Sequence, residues 1–518
     1  MITFILVNYV ITYIIKWGVG LMRILMVNPN FHSKGPSGGH SGGSENMFGT
    51  LPPLGLLYVS GSLIKEGYED IELIDLSKRE DKFCDDVEIG EYIVGKQPDI
   101  VFTGGMASTP SLPRTLAISK AIKELDNEIK IVLGGVHSTY MYNDVMKENS
   151  CIDFIIRGEG EKSSAELVKS YDHKGDMGSV KNIVWRDSHN EIKINESSNE
   201  IVNLDEYTPA WDLIDNWDDY RAPLNDEITA LVQFSRGCNH NCNFCSQWMF
   251  WEKWHCRSAE SLAEEVDYLN KKHNVTFFIW ADENPTKNQK ELIKLLNYLK
   301  NVNDENNNNL HHMLNIRVNH ITRDEKYLKL YKEAGIVAVD LGAESVLQKR
   351  LDYFNKRTTT ELNKKALDLL RKHNIVSILN ELSGLVSETP KSLKKTGQII
   401  KELNPDLMQL SFATPFLWTE FGREMEDFII EYDISKWNFR YPILKPFDMS
   451  IDELIKLTDW IKLDFYFNPK KMADIFQIED HYRRKFLSDY LIQSLRFRSE
   501  YATGSNESLE ERAQNTIV

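Results

Sequence analysis

Three cysteines, Cys238, Cys242 and Cys245, crowd into eight consecutive positions of the segment SRGCNHNCNFCSQW, directly after an apolar run, ITALVQF, that reads as a β-strand. Thiols at Cys-x3-Cys-x2-Cys spacing can hold three irons of a cubane and leave the fourth open to another ligand. The competing reading is a zinc site with His240, His255 or Cys256 as fourth ligand. Zinc ribbons usually pair two Cys-x2-Cys knuckles, and the chain carries no second one. Six cysteines among 518 residues do not make a disulfide framework, so a reducing cytoplasm is expected. Cys84 and Cys151 are expected as buried packing thiols, and Cys256 as a structural one.

The strand that leads into the cysteines belongs to a long alternation of apolar runs and helical patterns, the signature of parallel sheets covered by helices. Two such series divide the chain. The first, from ILMVNPN through DIELIDL, DIVFTGG, KIVLGG and DFIIRGEGE, predicts a doubly wound, Rossmann-like α/β domain over 22–181. Its strands end repeatedly in glycine, at Gly104-Gly105, Gly134-Gly135 and Gly158-Glu159-Gly160-Glu161, where backbone can approach a ligand. A long glycine-rich loop follows the first strand and reads as a binding loop.

An acidic, aromatic stretch over 182–224 is expected to be a linker. The second series, over 225–420, has six strand–helix units and predicts a partial (β/α)6 TIM-type barrel with chemistry at the strand C-termini. The asparagine-rich insertion NVNDENNNNLHHM reads as a solvated loop. Residues 421–499 are expected to be a helical substrate region and 500–518 a disordered tail. Residues 1–21 are apolar and long enough for a membrane span, yet Met22 opens a buried strand, so they read as a spurious N-terminal extension rather than an anchor. Membrane contact is not expected. The balance of 61 Lys+Arg against 77 Asp+Glu leaves a net charge of −16, which disfavours a phosphate backbone and excludes nucleic acid as a default partner.

The cysteine spacing, with Phe244 just before the third thiol, resembles that of the radical S-adenosylmethionine (SAM) superfamily. With an α/β domain ahead of the barrel, the chain resembles the cobalamin-dependent class. The segments NPNFHS, LGGVHSTYMY, IIRGEGE, FFIWADENPT, NIRVNHI, LGAES, LDYFNKRTT and WNFRYPILKPFDM are similar to those of the anaerobic magnesium-protoporphyrin IX monomethyl ester oxidative cyclase family. The resemblance covers Met22 to the 490s.

It implies a [4Fe-4S] cluster on the three cysteines, SAM and cobalamin as cofactors. It also implies a porphyrin as small-molecule substrate and an external electron donor such as flavodoxin or ferredoxin. In that family a radical takes hydrogen from a propionate side chain and water supplies the new oxygen. Methyl transfer to carbon is the alternative reaction. A non-catalytic metal- or cobalamin-binding regulator is the alternative of another class.

Carried onto this sequence, SAM contacts are expected at Phe244, Asp282, Glu283, Arg317, Asn319, Glu344, Ser383 and Gly384. Cobalamin contacts are expected at the glycine-edged loops and His137. The Asp-x-His-x-x-Gly motif by which many cobalamin domains ligate cobalt is absent, and His32 is the histidine in the right loop. Trp248, Trp251 and Trp254 are expected to line the substrate cleft, completed by the aromatic stretch from Trp437 onward.

Overall fold

The computed structural model describes residues 22–29, 50–78, 82–104, 108–198, 201–251, 253–307 and 309–504, with side chains described as far as residue 493. The N-terminal extension, His32 and Gly105 lie outside the described residues, as does the tail beyond 504. The first sheet contains β1 (Ile24–Asn28), β2 (Ile71–Asp75), β3 (Ile100–Thr103), β4 (Lys130–Leu133), β5 (Phe154–Ile156), β6 (Ile183–Arg186) and β7 (Ile192–Ile194). The spatial order is β2-β1-β3-β4-β5-β6-β7, parallel as far as β5 and antiparallel from there on.

In β1, Ile24 and Met26 pack into one hydrophobic cluster, Leu25 and Val27 into another. Both sheet faces are therefore covered, which is why the strand reads as an unbroken apolar run. The order β2-β1-β3 puts the topological switch between β1 and β3, so a ligand crevice is expected beyond the carboxyl ends of the parallel strands.

The stretch expected as a linker does more than connect. Its β6–β7 hairpin extends the first sheet, because β5 would otherwise present an unpaired edge. Trp211, Trp217 and Tyr220 follow and are all buried. Tyr220 donates its hydroxyl to Asp75 at 2.7 Å. At Gly61, in helix Leu54–Lys65, an added Cβ would stand 1.9 Å from the Thr208 carbonyl oxygen, so only glycine admits this segment.

The second sheet is built from β8 (Thr229–Val232), β11 (Phe277–Trp280), β12 (His311–Arg317), β13 (Ile336–Glu344), β14 (Val376–Ser383) and β15 (Leu407–Phe412). It is parallel throughout in the order β15-β14-β13-β12-β11-β8, an open six-stranded barrel. Between β8 and β11, a short antiparallel pair, β9 (Ser235–Arg236) and β10 (His255–Cys256), clasps the cysteine loop at its base.

The asparagine-rich insertion is helical at first: helix Gln289–Glu305, capped by the Asn288 side chain, runs into it. The C-terminal region opens with the short helix Glu420–Met425, continues through short turns to residue 449, and is then helical over Ile451–Tyr466, Pro469–Phe476 and His481–Gly504. The last helix carries structure into the segment expected to be disordered from residue 500. Among the described residues no helix is long and apolar enough to cross a membrane.

Candidate functional site

The cysteine loop leaves β9 at Gly237, whose φ of +87° suits glycine. An added Cβ would approach the Lys253 carbonyl oxygen at 2.9 Å, where the loop returns toward β10. Asp282 and Glu283, at the end of β11, hold this loop. Asp282 is fully buried and accepts from the Phe234 and Ser235 backbone N–H groups at 3.0 and 2.5 Å and from the Ser235 hydroxyl at 2.6 Å. Glu283 accepts from the Gly237 N–H at 3.1 Å and from the Trp251 indole at 2.7 Å. Burial pushes both carboxyls up to about 7.

Cys242 is buried and Cys238 and Cys245 half-buried. Burial raises the Cys238 thiol and pushes Cys245 up to about 12. No three His, Cys, Asp or Glu side chains among the described residues form a group that holds a single metal ion. In a cubane the three thiolates sit on separate irons. Donors already face the sulfurs: Asn284 Nδ2 lies 3.7 Å from Cys238 Sγ and Arg317 Nη1 lies 3.7 Å from Cys242 Sγ. Buried polar atoms beside the loop, His240 Nδ1, Asn243 Oδ1 and Asn284 Oδ1, have no partner in the protein. Three thiols at least half-buried, two of them with N–H donors aimed at the sulfur, fit an iron–sulfur cluster.

A cavity of about 430 Å³ opens against Cys245 and Phe244, across the inner ends of β13, β14 and β15. Glu344, Asn380, Gln409 and Ser411 supply its polar wall. Glu344 pairs with the buried Lys356 at 3.2 Å, and Asn380 donates to Asp340, whose carboxyl burial pushes up to about 7. Opposite stand Phe416, Trp418, Trp437 and Phe439, with the buried Arg440. Trp418 stacks on Phe416 at 5.1 Å and on Tyr140 of the first domain at 5.4 Å.

A second cavity of about 360 Å³ lies at the carboxyl edge of the first sheet. It is walled by Gly104, Gly134, Gly135, Gly158 and Gly160 on one side and by Arg236, Phe250 and Trp251 on the other. Gly134 and Gly158 have nothing within 4 Å of an added Cβ, so their missing side chains leave open space where a large planar ring can approach backbone. That cradle fits cobalamin. Ser108, Val136 and Gln247 line both cavities.

The expected residues divide accordingly. Phe244 and Glu344 line the first cavity, while Arg317 lies against the thiols. Asp282 and Glu283 are loop anchors, their acceptor atoms taken by the chain that carries the cysteines, and Glu283 also borders the second cavity. Asn319 donates to the Arg357 carbonyl at 2.9 Å. Ser383 is buried behind the wall and donates to the Ser411 carbonyl, and Gly384 bonds Glu388, so neither reaches either cavity. Glu159 and Glu161 border the second cavity with their carboxylates on Arg236. His137 sits behind Val136 against Thr109 and Trp418.

The tryptophans also part. Trp251 borders the second cavity, whereas Trp248 and Trp254 line neither and turn their indoles to the Cys242 and Asn284 carbonyls. The aromatic wall of the first cavity comes instead from 416–439. Cys84 is exposed rather than packed, and Cys151 is buried.

Asn380, Gln409, Ser411, Arg440 and Arg236 were missed. Gln409 and Ser411 carry a readable signal, polar residues at alternate positions of an otherwise apolar strand, whereas Asn380 sits beside Glu381 in a strand of mixed polarity. Arg236 carries none, because its partners are 75 and 77 residues away.

The chain matches the Radical SAM superfamily over residues 232–400 and the B12 binding domain over 44–168. It is 34% identical over 470 residues, 90% of this chain and 81% of the relative, to the anaerobic magnesium-protoporphyrin IX monomethyl ester cyclase of Rubrivivax gelatinosus. It is 24% identical over 426 residues, 79% of this chain and 76% of the relative, to the hopanoid C-3 methylase of Methylococcus capsulatus. Its fold matches that of the cobalamin-dependent SAM radical enzyme OxsB, solved with aqua-cobalamin and SAM bound. There the TM-score is 0.66 at 18% identity, over 91% of this chain and 71% of the other. The glycine-edged cradle, the buried thiol loop and these likenesses agree: the chain belongs to the cobalamin-dependent radical SAM enzymes, in the family of the anaerobic magnesium-protoporphyrin IX monomethyl ester cyclases, and takes a [4Fe-4S] cluster, SAM and cobalamin as cofactors.

Proposed function

We propose that this enzyme carries out the oxidative cyclisation of magnesium-protoporphyrin IX monomethyl ester, with oxygen from water. The observation that carries the reading is the aromatic chamber of Phe416, Trp418, Trp437 and Phe439, with Cys245 in its wall and the glycine-edged cavity behind it. A flat macrocycle needs such stacking surfaces. Cys238, Cys242 and Cys245 hold the cluster in this reading. When bound, the cluster and SAM supply a radical able to take hydrogen from an unactivated carbon, and cobalamin an electron acceptor.

The chain's own residues bind and orient. Glu344, Asn380, Gln409 and Ser411 offer hydrogen bonds to SAM beside Cys245. The wall of Phe416, Trp418, Trp437 and Phe439 offers stacking surface to the macrocycle, with the buried Arg440 at its end. Asn239 and Asn241, exposed between two of the cysteines, form the rim across which a flavodoxin or ferredoxin delivers electrons. Residues 22–181 and 225–420 act as the cobalamin and SAM domains.

The test is anaerobic reconstitution with cobalamin, methyl-labelled SAM and the porphyrin ester in ¹⁸O water. The expected product carries ¹⁸O and no methyl label. A methyl-labelled product replaces cyclisation with methyl transfer. Deoxyadenosine without any change in the porphyrin keeps the enzyme class and rejects this substrate.

A further inference from the structure

Arg236, 3% exposed, is gripped from every side at the seam between the two domains. Its Nη1 donates to Glu159 at 2.7 Å, its Nη2 to Glu161 at 2.5 Å and its Nε to Gln233 at 2.9 Å. The rings of Tyr58 and Trp251 lie 5.0 and 4.9 Å from the guanidinium. His255, its register partner across the β9–β10 clasp, stands 3.3 Å from the same Glu159 oxygen. Both ends of the cysteine loop therefore hold one carboxylate of the loop after β5, and that loop walls the glycine-edged cavity. Trp251, inside the cysteine loop, is fixed in turn by Glu283, which also holds Gly237 beside Cys238.

Resting on the cofactor assignment above, we propose that Arg236 is a positioning residue that couples the two cofactor sites. A cluster on the three thiols fixes the cysteine loop, the loop fixes Trp251 and the clasp, and Arg236 then holds Glu159 and Glu161 back against the cavity wall. Without that hold, two neighbouring carboxylates repel one another where the chain passes from the positive-φ Gly158 into helix Glu161–Asp172, and the cobalamin cradle loses its shape. Only a planar, multidentate cation satisfies both carboxylates and lies between two rings. By linkage the effect is reciprocal, so cobalamin also helps the loop retain its cluster.

Cobalamin affinity is measured by absorbance titration on chain with and without reconstituted cluster, for the wild type, Arg236→Gln and Glu159→Gln. Iron and bound cobalamin are quantified separately in each. The wild type is expected to bind cobalamin about tenfold more tightly when the cluster is present, within the usual span of coupling between sites. The two variants are expected to show a ratio near one, and the milder Glu159→Gln gives the answer if Arg236→Gln does not fold. A wild-type ratio of one, or a tenfold ratio that persists in a folded variant, overturns the coupling. A chain that takes up neither cofactor overturns the functional reading and this proposal with it.

Discussion

Asn284 and Arg317 place N–H donors on two of the three thiols, and such donors stabilise the more negative, reduced state of an iron–sulfur cluster. Replacing Asn284 with Ala is expected to lower the cluster's reduction potential while iron content stays the same. A redox titration followed by electron paramagnetic resonance reads this, and an unmoved potential refutes it. Asp340 gives a pH signature. Burial, with Glu344 nearby, raises its folded carboxyl to about 7. The folded state therefore holds a proton that the unfolded state releases near 4, so the stabilisation is complete below that value and is lost as pH rises toward 7. Asp340→Asn should stabilise the protein at pH 8 relative to wild type, on the order of 1 kcal/mol because Asp340 keeps some contact with solvent, and should make no difference near pH 4. Thermal unfolding at the two pH values checks both halves. In sequence, Asp282, Glu283 and Glu344 look alike, each an acid at a strand end. What makes Asp282 and Glu283 anchors is that a distant backbone N–H needs their oxygens as acceptors. Phe234, Ser235 and Gly237 lie 46 to 48 residues from their carboxylates, beyond any local pattern.

The cysteine loop behaves as an element of its own, closed by two residue pairs and tied down by β11. Gly237→Ala places a side chain at a positive φ, about 1–2 kcal/mol unfavourable, and against the Lys253 carbonyl. The expected outcome is loss of iron on reconstitution with an unchanged far-ultraviolet circular dichroism spectrum; full iron loading would refute the role given to this glycine. The loop and the parallel strands around it were legible because both rest on local pattern: three thiols within eight residues, and apolar runs covered on both faces. The β6–β7 hairpin was not, since short, half-exposed strands such as IKI leave little periodicity to detect.

Across the whole molecule, one hydrophobic cluster runs from β1 through Trp211, Trp217 and Tyr220 into the barrel strands, so the two domains share a core. Above it, Trp418 of the second half stacks on Tyr140 of the first. Trp418→Ala should destabilise by less than the about 3–5 kcal/mol of a core tryptophan, because it is half-buried, and should weaken porphyrin binding with no effect on cluster content. Denaturant titration and porphyrin absorbance test the two parts. Cobalamin at about a hundredfold excess over its dissociation constant should add about 2.7 kcal/mol, and the shared core should make both domains rise together in one transition.

The thin wall of Ser108, Val136 and Gln247 also bears on redesign. Each of the three is the first residue of a helix, so the boundary between the chambers is drawn by three helix starts. Shortening Gln247 is expected to widen the passage between the chambers, whereas Ser108 is already committed, its hydroxyl accepting from the His137 N–H at 3.0 Å. Gln247, which lies outside the barrel strands, is therefore the position at which the girth admitted between the two chambers is expected to be adjustable.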